Sequence, residues 1–179
     1  MDETEKRRIL EERARKLSAL PATMETALQE RQLLVFRLGG ERFGVALASV
    51  GEIAPVPAVC RVPCTPDFVK GVVNFRGRII SLIDVGRFLG LSPRPVAEGS
   101  HMILVSENEE GLSPAMEVAL LCDGRPEVRD LPGQELCEPP AAGPSTMAEH
   151  SLGVTPDLTV VLDIGRILAA PSFVVYDQG

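Results

Sequence analysis

The chain has 179 residues, 45% of them hydrophobic, with no Trp, one Tyr and six Phe, so it can bury one ordinary, largely aliphatic core or two small ones. A formal net charge of −7 argues against nucleic acid as a partner, because a phosphate backbone is bound by clustered Lys and Arg. The most apolar stretch, residues 158–175, holds Asp163, Arg166 and Pro171 and so is no membrane span, and the N-terminus lacks the apolar segment of a secretory signal; a cytoplasmic location is expected.

Residues 1–31 read as an N-terminal helical extension. Asp2 can cap a helix over 1–20 with Glu5 as its capping-box partner, and Leu10, Ala14 and Leu17 make one apolar stripe before Pro21 ends it. Such a helix either packs on its own body or docks a partner. From Gln32 the pattern changes to strands. Residues 33–38 lead into Gly39-Gly40, a hairpin signal, and 42–47 return. Pro55, Pro57, Pro63 and Pro66 punctuate the next segment. A second hairpin runs over 71–75, turns at Arg76-Gly77 and returns over 78–83. Residues 92–100, with two prolines, read as a link. Strands are expected near 102–106, 116–122 and 158–162, and residues 138–149 read as an irregular surface loop. Short strands among 15 Pro and 16 Gly imply an all-β fold of two small barrels, the first over 32–91 and the second over 101–179.

One phrase occurs twice. Leu82-Ile83-Asp84-Val85-Gly86-Arg87-Phe88-Leu89 returns as Val161-Leu162-Asp163-Ile164-Gly165-Arg166-Ile167-Leu168. This reads as a duplicated unit related by pseudo-twofold symmetry. Each Asp would end a strand and cap a helical turn, its carboxylate accepting the free N–H groups of the first turn. The competing reading is an aspartic-type hydrolase, in which Asp84 and Asp163 share a proton. That chemistry uses a hydroxyl residue after each Asp, and here Val85 and Ile164 stand there.

Other chemistry is sparse. Cys60 and Cys64 fit a loose zinc-ligand spacing, but no second close pair follows, and His101 and His150 are isolated. The four cysteines read as buried or half-buried thiols in a reducing compartment, and no metal or cofactor is expected. Phosphate-binding loops and nucleophile elbows are missing from the sequence. The two halves differ at one informative place. Asn74-Phe75-Arg76-Gly77 in the first aligns with Gly153-Val154-Thr155-Pro156 in the second, so the scaffold is kept and the charged tip is not. This marks Arg76 as functional or as an ion-pair partner, with Glu52 on the alternating strand around Val50 as its natural mate.

Phe43-Gly44-Val45, Val50-Gly51-Glu52-Ile53, Val62-Pro63, Pro66, Phe68-Val69, the run from Gly71 through Asn74 to Gly77, and Ile83-Asp84 together resemble the CheW family of bacterial chemotaxis coupling proteins. The resemblance is strong over residues 32–91 and looser over 101–170. It implies two SH3-like five-stranded barrels, no catalysis and no cofactor. It further implies an adaptor that bridges the cytoplasmic helical tip of a chemoreceptor to the regulatory domain of a CheA-type histidine kinase, recruited to membrane-associated receptor arrays without inserting in the membrane. The family's paired Glu and Arg fall on Glu52 and Arg76. Leu47, Val50, Gly71 and Asn74 complete the implied partner-binding set, on the first barrel and the groove between barrels. Ser81 stands where the family usually has Pro, and Gly86 where it usually has Arg. The pathway (chemotaxis, pilus-driven motility or another kinase array) is left open, as is the choice between a coupler and a competing paralogue.

Overall fold

A computed structural model describes residues 32–106, 116–131, 136–138 and 144–173. The helix expected over 1–20 lies outside them. The described residues are all-β in character, with ten strands and three short helices. In chain order these are β1 (Gln32–Leu38), β2 (Glu41–Ala46), a 3-10 turn (Leu47–Ser49), β3 (Val50–Pro55), β4 (Val59–Cys60), β5 (Val69–Phe75), β6 (Arg78–Ile83), α1 (Val85–Phe88), β7 (His101–Ser106), β8 (Glu117–Asp130), α2 (Ser145–Glu149), β9 (Ser151–Val154), β10 (Thr159–Leu162) and α3 (Ile164–Ala169). The helical turn α2 falls where an irregular loop was expected; Pro144 precedes it and Met147 packs against the main core.

The strands form two ladders that share β8. Its first half pairs parallel with β6 and antiparallel with β7, and β5, β4 and β3 extend that ladder. Its second half pairs antiparallel with β1, and β2, β10 and β9 follow. The pairing therefore cuts across the 32–91 and 101–179 division read from the sequence. β1 and β2 ladder with strands from the C-terminal part, and β7 ladders with β3. The reason is that the contacts β1 to β8, β2 to β10 and β3 to β7 are long-range, and local alternation carries no information on them.

Alternation along the strands sorts side chains into three cores. Leu34, Phe36 and Leu38 of β1 join Ile103 and Val105 of β7, Leu120 of β8, and residues of α1 and α3 in the largest cluster, which draws on both ladders. Met102, Leu104, Ala119 and Leu121 point the other way into a second cluster with Val73, Ile80 and Leu82. Leu33, Val35 and Val161 form the third. Fully burying a Leu or Phe such as Leu34 or Phe43 contributes roughly 1.5–3 kcal/mol.

The repeated phrase is one structural unit used twice. β6 runs into α1 and β10 into α3, and an Asp caps each helix. The Arg87 N–H donates to Oδ1 of Asp84 at 3.1 Å, and the Arg166 N–H donates to Oδ1 of Asp163 at 3.1 Å.

Candidate partner-binding surface

The β5–β6 hairpin closes through the two residues Arg76 and Gly77. Their φ values of 52° and 81° are the left-handed pair demanded by a tight hairpin whose twist matches its strands. Asn74 supports the turn, its Oδ1 accepting the Gly77 N–H at 3.0 Å. The Arg76 guanidinium lies over the Phe75 ring, 5.1 Å from its centroid, and Nη2 stands 2.7 Å from Oε1 of Glu52. Glu52 sits on β3 just after an irregularity in its pairing with β7. The Arg76 side chain is 71% exposed and that of Glu52 33%. An ion pair this open contributes only about 0–1 kcal/mol to folding. It presents a fixed charged rim without anchoring the fold.

Leu47 and Val50 flank this strand. Leu47 lies in the 3-10 turn where the chain leaves β2 for β3, passing from one ladder to the other. Both side chains are half-buried against the main core and keep part of their apolar surface open. Gly71, the third residue of the expected set, carries a backbone demand. It is buried, adopts φ +140° at a break in the β5–β6 register, and a Cβ there would stand 2.2 Å from the Cys60 carbonyl oxygen. With no side chain there, β4 can lie close against β5, its antiparallel partner.

The two aspartates have unlike surroundings. Asp84 has no solvent exposure. Its Oδ1 also accepts from Arg94 Nη2 at 2.9 Å, and its Oδ2 accepts from the Arg94 backbone N–H at 3.2 Å and lies 3.2 Å from Lys70 Nζ. Burial pushes its carboxyl up, but hydrogen bonds from Arg94 and the Arg87 N–H, together with the Arg94 charge, hold it below the usual carboxylate range. Asp163 is partly exposed and pairs with Arg166 at 3.2 Å. The carboxylates make no hydrogen bond to each other among the described residues, and each pairs with its own arginine. A proton-sharing dyad holds its two carboxylates against each other; here each instead caps its own helix.

Sequence reasoning missed Arg94, which sits in the segment read as a link. It also donates from Nη1 to Oδ1 of Asp123 at 2.8 Å, and Oδ2 of Asp123 accepts the Gly39 N–H at 2.7 Å. Asp123 stands where β8 passes from one ladder to the other, so one arginine ties the α1 cap, the shared strand and the β1–β2 turn. The single available signal was an arginine ten residues after a capping Asp, which is too generic to read.

Cys60, Cys64 and Cys137 are exposed rather than buried or half-buried, and Cys122 is buried. Among the described residues no group of His, Cys, Asp and Glu is placed to hold a metal ion, and no helix is long and apolar enough to cross a membrane.

Comparison with known proteins bears on the family and the fold. The Chemotaxis protein CheW of Klebsiella aerogenes is 27% identical over 157 residues, covering 86% of this chain and 90% of that protein. Protein PilI of Pseudomonas aeruginosa is 35% identical over 97 residues, 54% of each chain. Protein FrzA of Myxococcus xanthus is 27% identical over 128 residues, covering 72% of this chain and 76% of that one. The crystal structure of the scaffolding protein TtCheW from Thermoanaerobacter tengcongensis has the same fold, with a TM-score of 0.61 at 24% identity over 74% of this chain and 84% of that one. The family profile of the CheW-like domain matches residues 32–172, and the chain belongs to the CheW-like family of chemotaxis coupling proteins.

Proposed function

We propose that this chain is a non-enzymatic adaptor coupling chemoreceptors to a CheA-type histidine kinase, and that it works in the cytoplasm at membrane-associated receptor arrays. The supporting observation is the Arg76 turn. An arginine in the left-handed region costs on the order of 1 kcal/mol, and its exposed pair with Glu52 returns no more than that. A residue kept against the local preference, on a rim, supports partner contact rather than folding. Glu52, Arg76 and Asn74 form the charged edge of the docking surface. Leu47 and Val50 supply its apolar part, suited to an amphipathic helix such as the receptor tip or to a second β-domain such as the kinase's regulatory domain.

Titration calorimetry of the full chain against the regulatory domain of a CheA-type kinase from the same genome tests this. One-to-one binding that weakens with Arg76→Ala or Leu47→Asp is expected; absence of binding by the folded protein defeats the reading. The likeness to PilI and FrzA fits a pilus-driven or other motility array as the alternative setting. Measuring kinase and receptor affinities side by side separates a coupler, which binds both, from a competing paralogue, which binds one.

A further inference from the structure

The face of the β8-β1-β2-β10 ladder that carries Leu33, Val35 and Val161 changes character along its length. At one end these apolar side chains are buried. At the other, β1 and β2 present arginine, and β8 carries arginine beside both ends. Arg37 of β1 follows Val35 by two residues, and its register partner on β2 is Arg42. Arg129 of β8 stands opposite Leu33, and Arg125 lies at the irregularity in the β1–β8 pairing. Arg37, Arg42, Arg125 and Arg129 line one cleft of about 320 Å³ together with Asp123 and Glu127.

This arrangement breaks two local rules. Like charges directly opposite on neighbouring antiparallel strands repel, and Arg37 faces Arg42. The cleft is also locally basic in a chain of net charge −7. Internal pairing accounts for only part of the charge. Arg42 lies 3.3 Å from a carboxylate oxygen of Asp157, and Arg129 lies 3.5 Å from one of Glu127. Asp123 is committed to Arg94 and to the Gly39 N–H. Arg37 and Arg125 are exposed and make no ion pair among the described residues.

We infer that this cleft binds an acidic polypeptide segment of a protein partner, one carrying at least two closely spaced carboxylates. Guanidinium forks match carboxylates in bidentate geometry. Neighbouring strands lie roughly 4.8 Å apart and residues roughly 3.3 Å apart along a strand, so arginines on β8, β1 and β2 spread over about 10 Å by 13 Å. One phosphate group cannot reach across that span, but successive acidic side chains of a peptide can. The cleft lies on the β1–β8–β2 ladder, whereas Glu52 and Arg76 belong to the other ladder, so the two sites can be tested separately.

The probe is a fluorescently labelled hexaglutamate peptide titrated with the full chain and followed by anisotropy. Saturable one-to-one binding is expected, weakened about tenfold or more by Arg37→Ala combined with Arg125→Ala, weakened by added salt, and unchanged by Arg76→Ala. Because Arg37→Ala removes a like-charge contact, the melting temperature should not fall. Arg37→Gln, which keeps the side-chain stem, guards against a packing effect. The proposal is overturned if hexaglutamate does not bind, if binding survives the paired substitutions, or if inorganic phosphate binds with the same arginine dependence and the peptide does not.

Discussion

Arg94 holds a carboxylate that water does not reach: its Nη2 lies 2.9 Å from Oδ1 of Asp84, which has no solvent exposure. Lys70 approaches the same group from β5 at 3.2 Å. Removing the carboxylate leaves two cations in largely buried positions, the costly way to break an ion pair. Asp84→Ala is expected to destabilise by about 3–5 kcal/mol. The duplicate Asp163 keeps only an exposed partner and a capping bond, so Asp163→Ala is expected to cost about 0.5–2 kcal/mol. Denaturant melts of both variants check this; equal losses would show that capping alone explains both positions.

The Asp84 network also sets an acid limit. Its folded carboxyl lies below the ordinary value of about 3.9, so the folded state favours the ionised form. The stabilisation is complete above that ordinary value and is lost as pH falls through the lowered folded one. Stability measured by urea unfolding should hold from neutral pH down to about 4 and decline below it. In Asp84→Asn that decline should be shallower. An unchanged acid branch would place the proton uptake on other carboxylates.

Close backbone approach makes a different demand at Gly71. A Cβ there meets the Cys60 carbonyl at 2.2 Å and its carbon at 2.9 Å, and φ is +140°. These are backbone atoms of β4, so the strand itself must shift. Gly153, at φ +149°, meets the Cys137 carbonyl in a comparable way at 2.8 Å. Gly71→Ala is expected to destabilise by at least about 2–4 kcal/mol. Its effect on partner binding should disappear when measured on the folded fraction alone. A fully folded Gly71→Ala protein with weakened binding would show that Gly71 acts in partner contact itself.

Much of this was legible in the sequence, for identifiable reasons. Capping by Asp84 and Asp163 follows from a local spacing, and the turns at Gly39-Gly40 and at Gly77 follow from the torsional freedom of glycine. The Glu52–Arg76 pair could be read because the repeat keeps its scaffold and loses that tip. β8 could not be read whole. The strand expected over 116–122 stops before Asp123-Gly124-Arg125-Pro126, yet β8 continues to Asp130 through an irregularity with Gly124 at φ +68°. Missing that continuation hid the sharing of β8 between ladders, and with it the meaning of Arg94.

Thiol chemistry should separate the cysteines by burial. Burial, and next the neighbouring Asp123 charge, push the Cys122 thiol up to about 12, so its nucleophilic thiolate is scarce near neutral pH. Cys60, Cys64 and Cys137 are exposed. Brief alkylation of the native protein, read by peptide mass spectrometry, should modify those three and spare Cys122 until the protein is denatured. Labelling of native Cys122 at a comparable rate would mean that β8 opens locally.

Arg76 allows stability and function to be pulled apart. In the left-handed region asparagine is tolerated far better than arginine, so Arg76→Asn relieves a backbone cost of on the order of 1 kcal/mol. It also removes the exposed pair with Glu52 and the contact over Phe75, worth about 0–1 kcal/mol for the pair. The two nearly cancel, and the melting temperature is expected to stay level or rise slightly. Binding to the kinase regulatory domain should nevertheless fall, because the guanidinium on the rim is gone. A marked drop in melting temperature would mean that the ion pair anchors β3 to the hairpin, and the rim would then be a folding element. Unchanged melting with unchanged binding would remove Arg76 from the docking surface.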